Sequence, residues 1–229
     1  DNVNDLGYQS VTTPGSLKAY YEALENFGTW DWSDVVAPAI KHAEQGFVVR
    51  PHVAFWWNYG ANYGRVGVDE RLRYSKTGAE SYFDSSGNLK KIGDKVKIPG
   101  MAETLKKIAN YGIDIFYKGE IAEKISEDMK KNGGLLSYED LSTYSTKWTD
   151  PLLGTYRDLN VYTNHPPGGG IMVLEMLNIL ENFNLSKLGH NSTEYIRVVC
   201  EAMKQATVDK ESFVGDPDFV NVPIRRLLS

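Results

Sequence analysis

The segment "IMVLEMLNILENF", Ile171–Phe183, restricts this chain more than any other. At helical spacing, Ile171, Met172, Val173, Leu174, Met176, Leu177, Ile179, Leu180 and Phe183 point in nearly every direction around the axis. A helix that is apolar on all sides has no face to offer water, which predicts a central element covered by others. It is entered through "NHPPGGG", Asn164–Gly170, where two prolines and three glycines stop any regular element. Just upstream, "LLGTYRDLNVYT" places Leu159, Val161 and Thr163 on one face and Asn160 and Tyr162 on the other. That alternation predicts a hairpin over Leu153–Thr163 turning at Arg157-Asp158.

Elsewhere the periodicity is helical. Leu17, Tyr20, Tyr21, Leu24 and Phe27 form one face of a first helix closed by Gly28. A second stretch, Asp34–Glu44, ends at Gly46, and a break is expected at Pro38, which lacks the N–H that a helix interior uses. "RPHVAFWWNYGANYGR" is read as helical until its glycines, Val66–Asp94 as loop with a short hairpin near "DSSGNLKKIG", and Val96 and Ile98 as a short strand. Helices are expected at Met101–Tyr111 and Glu120–Lys131, and one or two turns at Ser137–Thr143. The last long helix starts after Ser192, a good N-cap, with Ile196, Val199, Cys200 and Met203 as its buried stripe. "GDPDF" is then a polar turn. No repeat or linker interrupts residues 1–229, so a single domain is expected.

Composition removes several functions. Hydrophobic residues make up 41% and charged residues 24%, as in ordinary globular chains. A formal net charge of −5 without a basic tract argues against a nucleic-acid partner. No apolar run is long enough to span a membrane. With Cys200 as its one cysteine, the chain holds no internal disulfide. Its opening "DNVNDLGYQS" and closing "VPIRRLLS" both read as the interior of a longer polypeptide.

The candidate chemistry is sparse. Gly168–Gly170 precedes a helix N-terminus, where free N–H groups attract anions. A phosphate loop would follow its last glycine with lysine and a hydroxyl residue, whereas Ile171 and Met172 follow here. The favoured reading is a tight strand-to-helix reversal, with a loop bordering a site as the alternative. Cys200, on an apolar stripe, is read as a small core hydrophobe. None of His42, His52, His165 and His190 pairs with another at metal spacing, and His165 is read as structural or solvent-facing. Glu201, Lys204, Asp209 and Lys210 are either a solvated face or an internal network holding the "GDPDF" turn. The sequons at Asn184 and Asn191 carry little weight. No serine, threonine or cysteine stands beside a base of its own.

The order of motifs carries more. "TPGSLKAYYEALENFG", "VVAPAIKHAEQGFVV", "IANYGIDIFYKGEIAEKI", "NGGLLSYEDLSTY", "DPLLGTYRDLNVYTNHPPGGGIMVLEMLNILENF" and "EAMKQATVDKESFVGDPDFVNVP" occur in series. From Thr13 to Pro223 the chain resembles the large subunit of the gamma-glutamyltransferase (gamma-glutamyltranspeptidase, glutathione hydrolase) family. The resemblance implies an α+β fold of the N-terminal-nucleophile hydrolase type, an α/β/β/α sandwich when complete, of which this segment is the mainly helical part with a short hairpin. It implies a self-cleaving precursor, a small subunit as partner that covers the apolar helix, and no cofactor. The reaction implied is gamma-glutamyl transfer or hydrolysis of glutathione and related amides, with water or an amino acid as acceptor. The nucleophilic threonine would lie beyond Ser229 and the carboxylate-binding arginine before Asp1, so no catalytic, substrate-binding or metal residue is carried onto this chain. An extracytoplasmic location is implied by analogy. A related acylase, a poly-gamma-glutamate depolymerase and a non-catalytic homologue are the alternatives. Three departures from the family pattern stand out: Pro167 and Gly168 replace the usual serines, Asp158 replaces a turn glycine, and Lys210 replaces an arginine.

Overall fold

The computed structural model describes residues 3–60 and 64–229. The expectation of one domain over 1–229 meets a chain that divides by its own contacts into two compact units, Asp1–Lys147 and Trp148–Ser229.

The first unit carries, after a short 3-10 turn at Tyr8–Ser10, helices α1 (Ser16–Phe27) and α2 (Trp32–Gln45), strand β1 (Phe47–Val48), helices α3 (Pro51–Trp57), α4 (Val68–Arg73) and α5 (Lys76–Tyr82), strand β2 (Lys95–Val96), and helices α6 (Met101–Tyr111), α7 (Asp114–Tyr117), α8 (Glu120–Lys131) and α9 (Tyr138–Ser142). β1 and β2 pair antiparallel, Phe47 opposite Val96. The short helix α9 is fixed by its cap. Ser137 and Asp140 form a reciprocal capping box on α9, satisfying donors that no intrahelical carbonyl can reach.

Two expectations fail here for identifiable reasons. α2 runs unbroken through Pro38. The loss is confined to one backbone hydrogen bond, and α2 packs along α6, with Trp32 Nε1 donating to the Ile108 carbonyl at 3.0 Å. The supposed loop at Val66–Asp94 contains α4 and α5, which are too short to show a period. Ser75 caps α5 by accepting from the Gly78 N–H. The hairpin near "DSSGNLKKIG" is present as a bridge between Phe83 and Leu89. Part of "NYGANYGR", residues 61–63, lies outside the described residues.

The core of this unit is Ile113, Tyr117, Ala122, Met129, Leu136 and Leu141, with Leu17, Tyr21 and Trp32 packed against it, while Tyr20 and Phe27 of α1 stay exposed. Tyr117, 1% exposed, organises it. Its hydroxyl donates to the Pro14 carbonyl at 2.6 Å and accepts from the Lys18 N–H at 3.1 Å. α1 has no side-chain cap of its own, so a distant phenol serves one of its orphan N-terminal amides. Burial pushes the phenol's pKa up, which keeps the proton that it donates. Tyr144 stacks on Tyr117 with the rings 9° from parallel, and a side chain at Gly15 would collide with the Tyr144 hydroxyl. The glycine of "TPGS" is thus demanded by space rather than by its own dihedrals. Tyr117→Phe keeps the ring and orphans a carbonyl and an amide. It should cost about 1–3 kcal/mol in chemical denaturation, and a loss below about 0.5 kcal/mol would show that Tyr117 does not cap α1.

The second unit is β3 (Leu152–Tyr156), β4 (Leu159–Thr163), α10 (Gly170–Glu181), α11 (Leu185–Leu188), α12 (Thr193–Phe213) and α13 (Ile224–Leu227). The expected hairpin is present, in register from Leu152 opposite Thr163 to Tyr156 opposite Leu159. Its turn places Arg157, not Asp158, in the left-handed region, at φ 54°. The Arg157 N–H donates to the Glu181 carboxylate, which ties the turn to the last turn of α10. Leu152, Ile171, Leu174 and Leu227 form the core, with Val161, Phe213 and Ile224 around them.

α12 presents a different face from the one expected. Val198, Ala202 and Ala206 are buried, whereas Ile196 is 49% and Met203 48% exposed, and Cys200 is exposed too. Large apolar residues carry the visible period of α12, but close packing of α10 on α12 selects small ones, because alanines let the two backbones approach. α10 likewise is not enclosed all round within this unit, since Val173 is 47% exposed. Ala206→Leu should therefore destabilise by about 1–3 kcal/mol through overpacking. Ile196→Ser on the outer face should change stability by less than about 0.5 kcal/mol. Thermal melts of the two variants in parallel would expose a mistaken assignment of faces by reversing the order.

Candidate functional site

The turn between β4 and α10 is built around Asn164. A Cβ at Gly168 would strike the Asn164 amide, and one at Gly170 would strike the Asn164 carbonyl and the Thr163 hydroxyl. Neither glycine has a positive φ, so both are required by close approach. The Gly168 N–H donates to the His165 carbonyl at 3.0 Å, and the Pro166-Pro167 bond is cis. α10 begins with no side-chain cap and no acidic residue in its first turn. The arrangement is the compact strand-to-helix reversal that the sequence favoured. Gly170→Ala should cost about 1–3 kcal/mol, while Gly169→Ala, with open space at its Cβ, should be neutral or stabilising by up to about 1 kcal/mol. Equal effects in urea titrations would contradict the fit around Asn164.

The other sequence candidates do not converge. His42, His52 and His190 are exposed and His165 is half-buried. Among the described residues no group of three or more His, Cys, Asp or Glu is placed to hold a metal ion. Cys200, expected in the core, instead lines a shallow open groove with Met203, Thr207 and Val208. Glu201 and Lys204 pair on a solvated face at 3.0 Å, and Lys210 meets Glu211 at 3.0 Å. The "GDPDF" turn is closed locally, by Phe219 and Val220 N–H groups donating to the Asp216 carbonyl.

Asp209 separates from that solvated group. It faces Glu175 of α10 in the wall of a cavity of 380 Å³, lined also by Asn178, Gln205 and Arg226. Glu175 is only 7% exposed. Burial, then the hydrogen bond to Asp209, raises its carboxyl to a pKa of about 7. Asp209 moves the other way, held low first by the amide of Gln205, which donates at 2.8 Å, and then by Glu175. Sequence reading passed over this pair. The available signal was an acidic residue in the middle of a helix apolar on every side, where no solvated face exists to receive it.

The solved Helicobacter pylori gamma-Glutamyltranspeptidase matches this structure with a TM-score of 0.88 at 33% identity, covering 100% of this chain and 63% of that one. The architecture is accordingly a segment of an α+β N-terminal-nucleophile hydrolase fold. The sequence profile of the Gamma-glutamyltranspeptidase family matches residues 1–229, and the chain belongs to that family. It is 38% identical over 216 residues to the Glutathione hydrolase proenzyme of Escherichia coli (strain K12), covering 94% of this chain and 36% of that protein. It is also 34% identical over 229 residues to the Acylase ACY 1 proenzyme of Pseudomonas sp. (strain SE83), covering 100% of this chain and 39% of that protein. The chain thus spans little more than a third of the length of these relatives.

Proposed function

We propose that this chain is scaffold within a gamma-glutamyl hydrolase and transferase, produced as a precursor that cleaves itself into two subunits. The observation that carries the reading is a family match running through all 229 residues, together with the likeness to a glutathione hydrolase proenzyme. In this reading a threonine at the start of the small subunit supplies the nucleophile. Its hydroxyl attacks the gamma-glutamyl carbonyl, its own α-amine takes the proton, and the amine leaving group departs protonated. Backbone amides hold the oxyanion, and the acyl group passes to water or to an amino acid. The residues described here contribute position rather than reaction: β3, β4 and the Asn164–Gly170 turn set where α10 begins, and the small subunit covers the exposed side of that helix. By analogy with the family, this reading also has the protein act outside the cytoplasm.

A second reading, acylase activity on the same scaffold, is favoured by the likeness to Acylase ACY 1 over the whole chain. The two separate by substrate. Expression of the complete gene should give two bands on a denaturing gel and release of the anilide from a gamma-glutamyl anilide. Release from a cephalosporin side-chain amide without turnover of the gamma-glutamyl substrate would select the acylase. A single uncleaved band with neither activity would overturn both.

A further inference from the structure

We propose that Glu175 and Asp209, sharing one proton in the wall of the polar cavity where α10, α12 and α13 meet, form a proton-operated clasp that holds α12 against α10 and loosens when the proton leaves. The clasp is independent of which reaction the protein catalyses.

Two carboxyl groups in contact, one of them buried, cannot both ionise without a large cost, so one keeps its proton. Position decides which. Glu175 lies on α10 among Ile171 and Leu174, which are buried, and Ile179, which is half-buried. Asp209 is the less buried of the two and has two partners that favour its charge. Gln205 donates to it from the preceding turn of α12. Arg226 of α13, its guanidinium 4.5 Å from the Phe213 ring centroid, attracts it from the third side. On α10 itself the polar neighbours are Asn178, whose Nδ2 donates to the Leu228 carbonyl at 3.0 Å, and Asn182, whose Nδ2 donates to the Asn178 carbonyl. From the β3–β4 hairpin the charged groups are Arg157 and Asp158 of its turn, and the backbone N–H of Arg157 goes to Glu181, six residues along α10. Arg226 is therefore the cation facing the pair, and it acts on Asp209. When Glu175 also ionises, two carboxylates share one guanidinium where α10 packs on α12, a helix whose buried face carries Ala202 and Ala206, with no long side chains to absorb a shift.

The sign follows from the raised carboxyl of Glu175. In an opened state Glu175 titrates near the usual 4.5, and in the closed state near 7. Between those values opening releases a proton, so opening becomes easier as pH rises, and the effect levels off above about 7. Asp209, shifted downward, exerts its own effect below its usual 3.8 and leaves this window untouched.

The test follows amide hydrogen exchange of α10 and α12 in the full-length protein, corrected for intrinsic rates, from about pH 5 to about pH 8. The opening constant should rise roughly 10- to 100-fold and then plateau, since each unit of pKa difference is a factor of ten. Glu175→Gln, which retains size and a donor for Asp209, should be flat across the window. The Glu175 carboxyl carbon, followed by NMR, should titrate with a midpoint of about 7 in the wild type. It should titrate lower in Asp209→Asn, where the anionic partner is gone. A wild-type carboxyl that titrates like an exposed glutamate overturns the clasp, as does a Glu175→Gln protein with undiminished pH dependence. Should Glu175→Gln fail to fold, the wild-type and Asp209→Asn titrations decide alone.

Discussion

The burial of α10 is the constraint on which the second unit depends. A 12-residue helix carrying Ile171, Leu174, Leu177 and Ile179 exposes too much apolar surface to stand alone, at about 25 cal/mol per Å². The neighbouring elements are arranged around that need. β3 and β4 supply Leu152 and Val161, α13 supplies Leu227, and α12 turns its alanines inward so that its backbone can approach. The Asn164–Gly170 turn sets the entry point, because Asn164 fits only where Gly168 and Gly170 have no side chains.

The first unit solves a different problem. None of its longer helices is as apolar as α10, and many of its ion pairs lie at the surface. Lys106 bridges Glu44 and Glu103, and Lys107 meets Glu120. Such exposed pairs set register between neighbouring helices more than they add stability. Uniqueness comes instead from Tyr117, which ties the approach to α1 to a core formed by α7, α8 and α9. A buried phenol that both donates and accepts rejects alternative packings, since each would leave a backbone group unpaired.

Much of this was legible in the sequence where one physical signal dominated. The hairpin at Leu153–Thr163 followed from strict alternation, and α6 and α8 from a 3.6-residue period bounded by glycines. Family membership followed from the order of motifs. What escaped reading depended on information outside the local pattern. α4 and α5 are too short for a period to emerge. Pro38 is tolerated because α6 supports α2, a tertiary fact. The inward face of α12 was misassigned because its large apolar residues form a convincing stripe, while helix packing preferred Val198, Ala202 and Ala206. Cys200 went to the surface with that error. The division at Lys147 and Trp148 has no linker composition to mark it.

Glu175 shows what such a reading should seek. Every other residue facing the core of α10 obeys the rule that buried positions are apolar. One acid breaks it, at a cost that a leucine would avoid. Sequences break local rules most often where a position does something besides fold. A purely structural glutamate would be expected to meet a cation and sit low in pKa, whereas this one meets an aspartate and sits high. The partner converts a simple burial penalty into a proton-dependent contact between two helices. The same pair placed on the outer face of α12 would be screened by water and would titrate as two ordinary acids. Its response to pH therefore comes from its position between α10 and α12, and that position is fixed by the same apolar helix that organises the rest of the unit.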